Sequence, residues 1–396
     1  MRHTSLIDNN SNGAQRYLTH SVFRYFGKYP PTSTRMLLEK LWERGAVGPV
    51  VDIMCGSGTT LLEALLAGRS AIGVDVNPIS VLISQVKVEK ADPDRTASLL
   101  RAIQQLAKDC TGGSFDLQKN LFSGRNGVKL KADKDEIKRT ANTVMECVGR
   151  WFSEEAALQH AVLRVAIQSL PASAEKRLLL LAWMRTVRKS SNASSRTGRL
   201  FLDKQKTPKL PFQLFPVECE TIQSAQEQLP APFESTCQLF CASAMRLSEV
   251  VSDAKTMFWH PPYFALYKYS SDVLRLELEW MGIDRKTLAS SEIRDGFKTS
   301  NPNDAEKYLA DCAVVWKEMF AACASGARGV AINSDSTLAK KTLNIFNRFA
   351  ESASAAGFEI ENIYRRQTTG TAAKYHKSAD AEIQTKFDYI VCFRKP

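Results

Sequence analysis

No two cysteines in this sequence are spaced C-x-x-C. The nine are scattered, and the closest, Cys237 and Cys241, stand alone without a second pair or nearby histidines. That spacing excludes the common zinc frameworks, so no metal site is expected. The thiols read as reduced cysteines of a cytoplasmic protein. No apolar run approaches the ~18 residues that span a bilayer, so no membrane association is expected. The first residues, "MRHTSLIDNNSNGAQ", have no apolar core of a signal peptide and read as a flexible polar leader over 1–15. Two phosphate-binding patterns are also missing. Leu61 stands where G-x-G-x-x-G needs its last glycine, and no G-K-[ST] follows a glycine loop. A dinucleotide or ATP is therefore a poorer fit than a single nucleoside with a short charged tail.

What is present begins with charge. Lysine and arginine number 53 against 42 acids, a formal net charge of +11. A polyanion is a reasonable partner on that basis alone. The densest stretch runs from Arg185 to Lys209. It carries Arg185, Arg188, Lys189, Arg196, Arg199, Lys204, Lys206 and Lys209 against one acid, Asp203. A solvated linker is the plain alternative; phosphate contact is the reading preferred here.

The chain is long enough for one large α/β domain with an insert. Residues 16–45 start as a mixed aromatic and basic piece. They continue as a helical pattern, with Thr32 or Ser33 as cap and Gly45 as stop. "PVVDIMCGSGTTLLEALLAG" reads as strand, glycine turn and amphipathic helix closed by Gly68; "SAIGVDVNP" and "ISVLISQVKVEK" repeat strand and helix. This order opens a doubly wound, mostly parallel sheet. From 93 to 235 the pattern is mainly helical, over 94–109 and 134–190, ending in a proline-containing loop, "KTPKLPFQLFPVE". The sheet resumes near 236 with "TCQLFCASA" and "AKTMFW". Helices follow at "SSDVLRLELEWMG", 303–325 and 337–356, with "ARGVAIN" a strand between the last two. "FEIENIYRRQ" and "FDYIVCFRK" read as a closing antiparallel pair. The fold class is thus α/β, with an antiparallel C-terminal hairpin and a helical insert.

Two turns carry the chemistry. In "DIMCGSGTT", Gly56 and Gly58 can aim backbone N–H groups at an anion beside a helix N-terminus. Asp52 ends the strand before them, and Asp75 ends the next strand. An acid ~20 residues after such glycines suits ribose hydroxyls. In "MFWHPPYF", an apolar run stops at His260, Pro261, Pro262 and Tyr263. Neither proline has an N–H to donate, so they end a strand and stiffen the turn after it.

Together these residues resemble the bacterial S-adenosylmethionine-dependent amino-methyltransferases of DNA, over about 16–92 and 236–396. Those enzymes carry D-P-F-x-G-S-G-T-T, and later Asp, Asn or Ser before Pro-Pro-Tyr or Pro-Pro-Phe. Here Ile53 and Met54 replace the Pro and Phe, and His260 is the first residue of the second motif. The resemblance implies S-adenosyl-L-methionine as cofactor, held by Phe26, Lys28, Tyr29 and Pro30 of "FGKYPP". It adds Asp52, Cys55, Gly56, Ser57, Gly58, Thr59 and Thr60, then Asp75, Asn77, Pro78 and Ser243. Ser243 stands where the family has an acid for the cofactor adenine.

The resemblance further implies transfer of a methyl group to the exocyclic amino nitrogen of a cytosine or adenine flipped out of double-stranded DNA. Cytosine is slightly favoured. Such a nitrogen has a delocalised lone pair and attacks poorly. The first residue of the turn and the carbonyl of the first proline would accept its two hydrogens, and the tyrosine would stack on the base. A neutral imidazole has one acceptor nitrogen and a protonated one has none, so activity should fall below the His260 pKa. The motif order puts target recognition in the insert, with Arg185, Arg188, Lys189, Arg196, Arg199 and Lys204 as DNA contacts. "YKYSSDVLRLELEWMG" and "SEIRDGFKTS" resemble the segment after S-P-P-Y in some of these methylases, with Tyr267, Tyr269 and Asp272 as candidates for the base pocket. A protein partner in a restriction–modification or phage-defence system is implied as well. Two other readings stay open: an inactive DNA-binding or assembly subunit that kept the fold, and an RNA base methyltransferase.

Overall fold

The structure is a computed structural model and describes residues 4–6, 16–112, 130–194, 200–230, 232–265, 270, 273–296, 301, 303–338, 341–368 and 386–396. The strands are β1 (Thr4–Leu6), β2 (Val50–Asp52), β3 (Ala71–Asp75), β4 (Cys237–Cys241) and β5 (Ala254–Trp259), then β6 (Cys323–Asn333), β7 (Ser336–Leu338), β8 (Lys341–Leu343), β9 (Glu359–Thr368) and β10 (Lys386–Arg394). Eight of them form one sheet in the order β1-β9-β10-β6-β5-β2-β3-β4, while β7 and β8 pair separately. Strands β4, β3, β2, β5 and β6 run parallel, and β10 is antiparallel to both β6 and β9. The expected α/β class, mostly parallel sheet and closing antiparallel pair are all present.

Strand order reverses at β2, which has β3 on one side and β5 on the other. In an open α/β sheet the crevice beyond the strand C-termini at such a point is where ligands sit. The two chemistry-bearing turns leave from β2 and β5, in the register Asp52↔Phe258.

Both faces of the sheet are covered, as alternation in the strands requires. Val51, Val74, Met257 and Trp259 pack on one side against Trp316 and Phe349 of helices Asp304–Ala322 and Ile345–Ala355. Val50, Phe258, Val330 and Ile390 pack on the other, against Leu37, Leu38 and Leu41 of helix Pro31–Glu43. Among the described residues the insert supplies five α-helices: Pro93–Thr111, Lys134–Val148, Glu154–Gln168, Ala174–Lys189 and Pro211–Glu227. Asp92, Asp133, Ser153 and Ser173 cap the first four, each accepting from a backbone N–H one turn in. Their apolar faces share one core with Ile79 and Ile83 of helix Pro78–Val88 and with Leu276 and Leu278 of helix Arg275–Met281.

Four local expectations are corrected. Helix Pro31–Glu43 begins at Pro31 with Pro30 as its cap residue, not at Thr32 or Ser33. Proline suits the first helical position, where an N–H would have no partner. The same reason turns "PFQLFPVE" from loop into helix: Pro211 opens it, and the Gln213 side chain accepts from the Leu210 N–H at 3.0 Å. Within 337–356 only Ile345–Ala355 is helical, preceded by the β7–β8 pair. Within the stretch read as a leader, Thr4–Leu6 adds to the sheet edge beside Tyr364–Arg366.

Candidate active site

A cavity of about 160 Å³ opens at the β2/β5 switch point. The turn after β2 supplies Asp52 to Ser57, Thr59 and Thr60; the end of β3 supplies Asp75 to Asn77; the end of β4 supplies Ser243 and Ala244. The turn after β5 supplies His260 to Tyr263. Tyr25 and Gly27 to Tyr29 close one side, and Ser291 to Ile293 with Asp295 another. Thus the two motifs, some two hundred residues apart in sequence, face one space.

The glycine turn is built for close approach. Gly56 and Gly58 have φ of 51° and 70°. A Cβ on Gly56 would lie 3.1 Å from the Tyr25 ring, and one on Gly58 would lie 2.8 Å from Ser84 Oγ. Their N–H groups are used inside the protein rather than offered to a ligand anion as expected. Gly56 N donates to Asp75 Oδ2 at 2.9 Å, and Gly58 N to the Cys55 carbonyl at 2.7 Å. Asp75 thereby ties the glycine turn to the turn after β3, its other oxygen accepting from Asn77 N at 2.8 Å. Asn77 caps helix Pro78–Val88 through its Oδ1. Burial raises the carboxyl pKa of Asp75 to about 6. Burial raises that of Asp52 to about 7, the charge of Asp75 adding to it, while hydrogen bonds from Thr60 and Met54 N pull it down.

The polar groups left over in this space are informative. Ser57 Oγ, Thr59 Oγ1, Asn77 Nδ2 and His260 Nε2 are buried and have no hydrogen-bond partner among the described residues. Unsatisfied buried polar atoms are costly in a native fold unless a ligand or water meets them. All four belong to residues lining the cavity.

His260 stands between two rings. Tyr29 lies edge-on at 5.3 Å between centroids and Tyr263 at 5.2 Å. Burial, helped by the positive Arg366, lowers the imidazole pKa to about 4. The ring is therefore neutral at physiological pH and keeps one acceptor nitrogen. Tyr263 OH donates to Asp388 Oδ1 at 2.8 Å, and Arg366 Nη1 to Asp388 Oδ2 at 2.9 Å.

Most sequence-assigned residues meet here: Lys28, Tyr29, Asp52, Cys55, Gly56, Ser57, Thr59, Thr60, Asp75, Asn77, Ser243 and His260 to Tyr263. Four do not line the cavity. Phe26 lies under the Arg24 guanidinium at 4.7 Å, Pro30 and Gly58 are helix cap residues, and Pro78 opens its helix. The Ser243 hydroxyl donates to the Ser291 carbonyl at 3.0 Å. Tyr25 and Val76 were not singled out in sequence, and their only signal is their folding onto the same crevice. Ser291–Asp295 opens the "SEIRDGFKTS" stretch that carried part of the resemblance, though none of its residues was assigned a role there. Tyr267, Tyr269 and Asp272 lie outside the described residues.

The basic stretch is partly structural, contrary to expectation. Arg185 donates to buried Glu218 and to the Val22 carbonyl, and Lys189 pairs with the same carboxylate. Arg188 donates to the Ser194 carbonyl at 3.1 Å and the Val273 carbonyl at 3.4 Å. These cations hold helix Ala174–Lys189 to its neighbours. Lys204 is exposed, and Arg196 and Arg199 lie outside the described residues. Among the described residues no helix is long and apolar enough to cross a membrane, and no group of His, Cys, Asp and Glu could hold a metal ion.

No family model matches the chain. Two curated proteins are similar in part. The type II methyltransferase M.MjaII of Methanocaldococcus jannaschii is 28% identical over 102 residues, 26% of this chain and 18% of that protein. The type II methyltransferase M.MvaI of Kocuria varians is 24% identical over 191 residues, 48% of this chain and 38% of that protein. The chain thus matches well under half the length of either. Among solved structures, TrmN from Thermus thermophilus aligns with 94% of this chain and 50% of its own, at 9% identity and a TM-score of 0.35. In sequence, then, part of the chain is similar to part of two type II methyltransferases.

Proposed function

We propose that this protein is an S-adenosylmethionine-dependent DNA methyltransferase that modifies the exocyclic amino nitrogen of a flipped cytosine or adenine. The observation that carries this reading is the cavity joining the glycine turn to the His260–Tyr263 turn, with the neutral His260 imidazole at its wall and its buried Nε2 without a partner among the described residues. The likeness to two type II methyltransferases supports it.

The residues fit the cofactor. Ser57 Oγ, Thr59 Oγ1 and Asn77 Nδ2 have no partner among the described residues, and Asp52 and Asp75 offer carboxylates that favour a cation. When bound, S-adenosylmethionine supplies a methyl group activated by its positive sulfonium. The protein's own part is to prepare the nitrogen. His260 Nε2 accepts one amino hydrogen and the Pro261 carbonyl the other, so the lone pair is freed from the ring as the nitrogen becomes tetrahedral. Both acceptors matter most in the transition state, where the nitrogen gains positive charge. Tyr263 offers a ring for the extruded base, which leaves the duplex at an unstacking cost of a few kcal/mol. The insert, with Lys204, Arg196 and Arg199, supplies phosphate contact and target recognition.

The test is tritiated S-adenosylmethionine with unmethylated bacterial DNA, wild type beside His260→Ala. Label in DNA with wild type, and its loss with the variant, is expected; digestion then names the base. Cofactor binding without label in DNA would refute the DNA enzyme reading. Label in RNA instead would move the substrate.

A further inference from the structure

Behind the candidate catalytic turn, the closing hairpin carries a charge pair to which the reading above gives no role. Arg366 on β9 and Asp388 on β10 are register partners, 4% and 5% exposed. They are joined at 2.9 Å through Asp388 Oδ2, and Asp388 Oδ1 accepts from Tyr263 OH at 2.8 Å. Removing two charges from water is costly, and a buried ion pair is a poor source of stability compared with apolar packing. This pair does hold something: the far end of a ring whose near face meets His260 edge-on, at 5.2 Å and 88°. The prolines fix the backbone of the turn. They do not set the Tyr263 side-chain torsions, which the hydrogen bond to Asp388 restrains.

We propose that Asp388, itself fixed by Arg366, is a positioning residue that acts through Tyr263 to hold the His260 imidazole at the cavity wall. Its consequence for catalysis rests on the methyl-transfer reading; the positioning itself does not. Misplacing a reacting group by ~1 Å can cost ~100-fold in rate, so a turn held at both backbone and side chain is worth a buried pair.

The experiment uses the full chain with histidine labelled at ¹³Cε1. There are five histidines, and His260→Ala identifies the His260 signal by its loss. Tyr263→Phe deletes the hydroxyl and leaves the Arg366–Asp388 pair intact; Asp388→Asn and the double variant complete a cycle. The His260 signal is expected to shift or broaden in each single variant, and in the double variant to match Tyr263→Phe alone. In methyl-transfer assays kcat falls ~10- to 100-fold in each single variant, no further in the double, with the cofactor KM within about twofold. An unmoved His260 signal in Tyr263→Phe overturns the proposal, even if Asp388→Asn does not fold. So does a shift from Asp388→Asn of equal size with and without the Tyr263 hydroxyl. A wild-type protein without transfer to DNA would refute the functional reading, while the signal comparison still decides this one.

Discussion

If His260 is the acceptor, the acid side of the pH profile should lie where burial has put it. An ordinary histidine with a pKa of about 6.5 is only ~10% neutral at about pH 5.5, so an acceptor role would cost ~10-fold in kcat between pH 8 and there. The structure lowers the His260 pKa to about 4, by burial first and by Arg366 second. At that value ~97% of the ring stays neutral at about pH 5.5, and kcat should change by less than about twofold. The depression corresponds to roughly 3 kcal/mol against the charged form.

The carboxylates behave oppositely. Asp52 at about 7 and Asp75 at about 6 are both raised, chiefly by burial. A cationic cofactor favours their ionised forms, so its binding releases protons, and affinity rises with pH through about 5 to 8. The cofactor KM should therefore fall ~10-fold or more between about pH 5.5 and 8. Without ligand the sign for stability is the reverse. The folded state holds more protons than the unfolded one between about 4 and 7, so these groups reduce stability as pH rises through that window. The assay is cofactor saturation at several pH values, giving kcat and KM separately, for wild type and His260→Asn. A kcat that falls with a midpoint near 6.5 in wild type but not in the variant would refute the reasoning.

Three further outcomes follow from particular contacts. Ser57→Ala should weaken cofactor binding ~3- to 10-fold in calorimetry while leaving thermal stability unchanged or slightly raised, because the hydroxyl has no partner among the described residues. Lower stability with unchanged affinity would remove Ser57 from the site. Gly58→Ala should cost ~2–4 kcal/mol in denaturant unfolding, since its φ is 70° and a Cβ would lie 2.8 Å from Ser84 Oγ. A cost below about 1 kcal/mol would contradict that crowding. Arg185→Ala should lower stability by ~2 kcal/mol or more, by leaving Glu218 with Lys189 as its cation. It should leave the salt dependence of DNA binding unchanged, whereas Lys204→Ala reduces that slope by ~1 with no loss of stability.

The parts of this molecule legible in the sequence are those where backbone geometry restricts residue choice. Gly56 and Gly58 sit at positive φ, and Pro261 and Pro262 end a strand, so the two turns announce themselves without any knowledge of the fold. Alternating apolar strands set between amphipathic helices give the parallel sheet for a similar reason. Proline misleads where its meaning depends on position: Pro31 and Pro211 start helices rather than ending them. Charge misleads more. Nothing near Arg185 in sequence reveals that Glu218, 33 residues on, takes its guanidinium. Likewise Tyr263 and Asp388, 125 residues apart, meet only because β10 returns to pair with β6 and β6 lies beside β5. A motif can name the residues that touch a substrate, since chemistry limits their type. The residues that hold those in place are limited only by where the chain returns, and that is a property of the sheet order. This is why the Arg366–Asp388 pair had to be found in the folded structure, and why the turn at His260 did not.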